Sequence, residues 1–212
     1  MKTNKASLKS RILAFLIDIV LVVFIVVLLE MIFPKNGNIE VLSEELNKTT
    51  DMYFSKQITY PVYYHQAALI FRDLDKARIM YSVINAVIIF IYFIFIPYFF
   101  DGKTLGKKLL KIKTIRNDKE CLSLKNLVVK NMIDTGLMYM LLSIAFIYIL
   151  PPTAYFTFTL FLSIFQIGLI IASIVMIIKR QDKRGLNDIL SGTKVIIDDI
   201  EVKKWENLMN KN

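Results

Sequence analysis

Residues 11–33 read RILAFLIDIVLVVFIVVLLEMIF, an apolar run interrupted in its middle by Asp18. About 20 apolar residues suffice to cross a hydrocarbon core of about 30 Å, so the stretch reads as a membrane-spanning helix that carries a carboxylate. An acid there costs roughly 2.5–3.5 kcal/mol on insertion scales. Arg11 stands seven residues before Asp18, and seven steps of about 100° return to nearly the same face, about 10 Å along the axis. One stripe therefore carries Arg11, Ala14, Asp18, Val22 and Ile25. Arg11 and Asp18 are too far apart along it to touch, so each takes a partner elsewhere.

The composition agrees with a membrane location. Of the 212 residues, 55% are hydrophobic and the mean hydropathy is +0.51, values that place the chain among membrane proteins rather than soluble domains. The opening MKTNKASLKSR has the positive flank of a signal peptide, but the apolar run is too long, holds an acid and lacks an A-x-A exit, so it is expected to be retained. The net charge of +9 does not imply nucleic acid, because the basic residues flank apolar spans. A single cysteine, Cys121, and a single histidine, His65, provide neither an internal disulfide nor a metal ligand set. No cofactor is expected.

Four runs are long enough to span: 11–33, 79–100, 132–150 and 154–178. Between them lie an outer segment at 34–78, a loop at 101–131 and a tail at 179–212. The N-terminus, that loop and the tail hold 21 of the 27 basic residues, which places both termini and the middle loop in the cytoplasm. The expected fold is an all-α membrane protein of four transmembrane helices, in one domain, with a small cytoplasmic cap.

Local signals fill in the connections. In the outer segment SEELNK reads as a short helix capped by Ser43, and Pro61 starts a helix that runs into the second span. Pro97 should kink or end that span. In the middle loop Thr104 caps a short interfacial helix over Leu105 to Leu110, and a strand follows from Lys111 to Arg116, turned at Asn117-Asp118. In the tail GLNDIL reads as one or two helical turns ended by Gly192, and TKVIID as a strand. The two strands can pair beneath the membrane.

These motifs resemble the RDD family of bacterial multi-pass membrane proteins, named for one arginine and two aspartates. RILAFLID gives Arg11 and Asp18 the places of the arginine and the first aspartate. GKTLGKKLLKIKTI and KRGLNDILSGTKVI match further stretches, the latter with Asp188 in place of the second aspartate. Family members often carry arginine where Lys130 stands; a lysine keeps the charge but not the planar fork that grips a carboxylate. The resemblance implies transport of a solute in the bacterial cell membrane, with exchange of a monovalent cation and a proton in some relatives.

Physical reading adds partners for these residues. Asp188 is the expected partner of Arg11, Asp134 lies one turn beyond Lys130, and Asn85, Gln166 and Ser143 can extend a polar lining or bond between helices. The glycines at 102 and 106 are one residue short of a P-loop, and Lys108 stands where a magnesium-binding hydroxyl belongs. Asp18 and Asp134 lack the surroundings of a protease dyad, so no enzyme is expected. Four helices are few for an alternating-access carrier, so transport requires a homo-oligomer or a second membrane protein. The rival reading is a non-catalytic protein that binds and regulates or anchors another membrane protein through its outer segment.

Overall fold

A computed structural model describes residues 4–32, 38–118 and 121–198. The expected end of the first span at Phe33, the first residues of the outer segment and the tail beyond Asp198 lie outside these described residues. The chain divides into two compact units, one of Met1–Val26, Ile88–Leu137 and Ile167–Asn212, the other of Val27–Val87 and Met138–Gln166.

The first unit begins with helix α1 (Leu8–Ile32), whose buried residues are Ala14, Asp18 and Val22. This is the stripe expected from the helical period. Val22 packs with Tyr92 and Phe93, which lie in a π-helical turn at Ile91–Phe95 that follows α4 (Ile79–Phe90) and precedes α5 (Ile96–Phe99). Pro97 was expected to kink or end this span, and the chain stays helical through it to Phe99 by way of the π turn. In an α-helix the N–H at position 97 would bond the carbonyl of Phe93, and proline has none. The side-chain amide of Asn131 donates to that oxygen instead, at 2.8 Å.

Asn131 belongs to α7 (Leu124–Asp134), which starts at a reciprocal cap between Ser123 and Asn126. The expected third span at 132–150 is therefore corrected: helix begins upstream of Met132 and breaks at Thr135 and Gly136 before α8 (Leu137–Phe146). Gly136 has φ +71°, a left-handed conformation that ends a helix readily in glycine. Three segments are long and apolar enough to cross a membrane: Leu8–Ile32, Ile79–Phe99 and Pro152–Lys179, the last being α9. The broken pair α7 and α8 makes a fourth if it forms one span.

The short elements follow the sequence signals. Helix α6 (Leu105–Leu109) is capped by Thr104, strand β1 (Ile112–Arg116) pairs antiparallel with β2 (Thr193–Ile197), and α10 (Leu186–Leu190) precedes β2. Ile112 opposes Ile197, and Thr114 opposes Val195. The N-terminal segment joins the edge of β2 through the Ala6 N–H and the Val195 carbonyl, at 3.2 Å. Ile112 and Val195 then bury a small core with Ala6 and Ala14.

In the second unit α2 (Asn38–Phe54) packs on α3 (Tyr60–Ala77), with Tyr53 stacked on Tyr63 at 4.7 Å between centroids. Ser43 is not a cap, contrary to expectation. Helix α2 starts five residues earlier, so the hydroxyl sits in the helix interior and donates to the Ile39 carbonyl, the usual outlet for an interior serine. Pro61 lies in the first turn of α3 as expected, and the helix reaches α4 through a single irregular residue, Arg78. Tyr155 donates to Asp75 at 2.9 Å, fixing α3 to the first half of α9.

Replacing Asn131 by leucine should destabilise the protein by about 1–3 kcal/mol, since it orphans a buried carbonyl. Unfolding of the purified variant by denaturant would measure this, and an unchanged midpoint would mean that the Phe93 oxygen has another donor.

Candidate functional site

Asp18 is 1% exposed, and a carboxylate so placed needs donors on both oxygens. Its Oδ1 accepts from the Tyr92 hydroxyl at 2.6 Å and from the Gly106 N–H at 2.7 Å, while Oδ2 accepts from the Thr104 hydroxyl at 2.5 Å. Each donor depends on a local feature. The π turn carries Tyr92, and the first turn of α6 leaves the Gly106 N–H without an intrahelical partner. Only glycine permits this approach: a Cβ at 106 would lie 2.1 Å from the Ala14 carbonyl oxygen. Thr104 is at once the cap of α6 and a ligand of Asp18.

Asp188 is fully buried in the first turn of α10. Its Oδ2 accepts from Arg11 Nη1 at 2.7 Å and from the Gly185 N–H at 3.3 Å, and its Oδ1 meets the Lys130 ammonium. The pairing expected between Arg11 and Asp188 is present. Lys130 meets this carboxylate too, because one oxygen needs only a point charge when the arginine holds the other. Burial alone would raise the Asp188 carboxyl, but the Lys130 ammonium and the Arg11 guanidinium outweigh it and hold the group below the ordinary carboxylate range. Arg11 Nη2 also reaches the Val195 carbonyl at 3.3 Å, so the cluster joins α1, α7, α10 and β2.

Beside it, Asn187 donates to both oxygens of Asp134, at 2.6 and 2.7 Å, and accepts from the Ser173 hydroxyl at 2.7 Å. Lys130 lies 3.7 Å from Asp134. Lys107, on α6, places its Nζ 3.1 Å from the Thr114 hydroxyl. Burial, then the nearby Lys130 ammonium, push Lys107 down to about 8. A cavity of about 300 Å³ collects these groups: Arg11, Asp18, Lys107, Lys130, Asn131, Asp134, Ser173 and Asn187 all line it, between apolar walls supplied by α1 and the latter half of α9.

Of the residues expected from sequence, Arg11, Asp18, Lys130, Asp134 and Asp188 converge in the first unit. Asn85 and Gln166 fall in the second unit and do not line this cavity. Ser143, also in the second unit, lines a smaller one of about 100 Å³ with Asp75, Tyr139 and Tyr155. Tyr92, Gly106, Lys107, Asn131, Ser173 and Asn187 were not expected. Gly106 and Lys107 stand inside the GKTLGKK motif and Asn187 precedes Asp188, so motif membership was a usable signal for three of the six. Tyr92, Asn131 and Ser173 gave none.

Apolar helices long enough to span, together with carboxylates buried against an arginine and a lysine, define a helical membrane protein with a charged core. The chain belongs to the RDD family, whose model matches residues 5–192. It is 28% identical over 114 residues to the uncharacterized protein YckC of Bacillus subtilis, an alignment covering 54% of this chain and 60% of the relative. It is 44% identical over 59 residues to the uncharacterized protein MG243 of Mycoplasma genitalium, covering 28% of this chain and 23% of that protein. The chain thus spans less than two thirds of either relative. No solved structure matches it.

Alanine at Asp188 should cost about 3–5 kcal/mol, because Arg11 then keeps its charge without a counterion, and alanine at Arg11 should cost less, because Lys130 still faces the carboxylate. The double variant should cost less than the sum; strict additivity in unfolding experiments would disprove the pair. Since the folded Asp188 carboxyl is depressed, its contribution is present above an ordinary aspartate value of about 3.9 and lost as pH falls through the lower folded value.

Lys107 has the opposite signature. Folding lowers it from 10.5 to about 8, so between those values the unfolded chain holds a proton that the folded one has released, and stability rises with pH. Lys107→Met should abolish that rise, as read from unfolding midpoints across the interval. A rise that persists in the variant would assign it to another group.

Proposed function

We propose that the protein is a non-enzymatic carrier of the bacterial cell membrane that binds a small solute in the cavity lined by α1 and α9 and works as an oligomer. The observation that carries this reading is the cavity itself, in which apolar walls meet titratable and hydrogen-bonding groups on a polar floor. Such a combination is typical of solute sites. Both termini lie in the cytoplasm by the division of basic residues, and the polar floor then lies at the cytoplasmic ends of the spans.

Within this reading the two acids have different tasks. Asp18, 1% exposed, has both oxygens filled by neutral donors and anchors α6 to α1. Asp134, whose side chain is 28% exposed, lines the cavity and is the group to take a proton or monovalent cation coupled to the solute. Four helices are few for alternating access, which favours a homo-oligomer.

A second reading, a protein that anchors or regulates another membrane protein, has its own observation. Phe54 and Tyr60, 76% and 58% exposed, sit at the turn between α2 and α3 beside the stacked tyrosines and offer an aromatic contact.

The test is pH-dependent cation flux in liposomes holding only this protein. Asp134→Asn should abolish flux in a folded protein, whereas Asp18→Asn should lower abundance instead. An absence of flux in the unmodified protein would favour the second reading, under which deleting residues 38–60 abolishes the biological effect. Orientation is tested in intact cells: an impermeant maleimide should leave the exposed Cys121 unlabelled and should react with cysteines introduced at Lys56 or Thr153.

A further inference from the structure

We propose that the cavity receives the anionic head of an amphiphile, with Lys107 and Arg11 donating to its oxygens and its alkyl chain lying against α1 and α9. This rests on the cavity being the solute site and names the class of solute.

The inference follows from which hydrogen-bonding groups are still unfilled. On the acceptor side, Asp18 takes three donors, Asp134 takes the Asn187 amide on both oxygens, and the Asn187 carbonyl takes Ser173. On the donor side two groups remain. Arg11 uses Nη1 on Asp188 and Nη2 on Val195, but its buried Nε has no acceptor. Lys107 has the Thr114 hydroxyl as its hydrogen-bond partner, and among the described residues no carboxylate lies within ion-pair distance of it. A buried donor without an acceptor costs about 1–3 kcal/mol. A carboxylate, phosphate or sulfate head offers acceptors to both donors, whereas a cationic head offers none.

The walls determine what the head is attached to. Leu16 and Phe15 of α1 and Ile170, Ile174 and Ile177 of α9 line the cavity, and Leu16, Ile170 and Ile174 are also exposed. An apolar surface therefore continues from the polar floor outward. About 300 Å³ is at the small end of ligand sites, so the cavity holds the head and a short length of one chain.

The experiment measures binding of radiolabelled dodecyl phosphate to the full chain in nanodiscs of phosphatidylcholine, with empty discs subtracted. Inorganic phosphate and dodecyltrimethylammonium are measured in parallel. Saturable binding of dodecyl phosphate is expected, at least tenfold tighter than either comparator. Lys107→Gln should weaken it on the order of tenfold, the scale of a charge-assisted hydrogen bond, Lys107→Arg should retain it, and Ile174→Trp should block it by filling the wall. Unfolding midpoints check that the variants are folded. The proposal is overturned by no saturable binding, by equal affinity for inorganic phosphate, by preference for the cation, or by folded Lys107→Gln and Ile174→Trp proteins that bind normally. Binding without flux in the liposomes would uphold this inference and remove the carrier reading, and flux without binding would do the reverse.

Discussion

A carboxylate taken out of water must be given back the hydrogen bonds and positive charge it lost, at a penalty of several kcal/mol per ion if it is not. Asp188 meets that requirement with groups from two distant parts of the chain and one from its own turn. Arg11 comes from the N-terminal helix, Lys130 from α7, and the Gly185 N–H from its own turn. The small sheet serves the same end, since β2 supplies the carbonyl that receives the second Arg11 nitrogen and the edge that receives the N-terminal segment. Breaking the cluster would therefore loosen the N-terminus, the middle loop and the tail together.

Asp18 solves the same problem without a cation. Three neutral donors, two of them from the α6 turn, replace its hydration. A charged partner would have needed a second costly group among apolar residues, whereas a hydroxyl and a backbone N–H come at lower cost. The trade explains why Gly106 and Thr104 occupy such closely constrained positions: one leaves room for the carboxylate, and the other both caps the helix and completes the acid's coordination.

Much of this was readable from residues alone. The Arg11 to Val22 stripe, the two strands, the turn of α10 and the capping by Thr104 each follow from a local period or a short-range hydrogen bond, which the sequence carries directly. What stayed hidden depended on contacts between segments far apart in the chain. Tyr92 sits in an apolar run and reads as one more lipid-facing aromatic until the π turn rotates it inward. Lys107 stands among other lysines and reads as a surface charge, because nothing local distinguishes it from its exposed neighbour Lys108. Gly136 is a lone glycine in a long apolar stretch, and only its left-handed backbone shows that the helix stops there.

The sequence distances across these contacts impose an order on biosynthesis. Asp18 leaves the ribosome long before its donors, which follow 74 to 88 residues later, and Arg11 waits 177 residues for Asp188. At about 5–20 residues per second, the first span spends roughly 4–18 s with its acid unanswered, and Arg11 waits roughly twice that. During this interval the nascent helix is a polar-bearing segment at the threshold of insertion, exposed to the quality-control proteases of the membrane. A chain that terminates before Asp188 answers Asp18 but leaves Arg11 without its counterion, so the pairing of the first helix is completed only by the last quarter of the sequence.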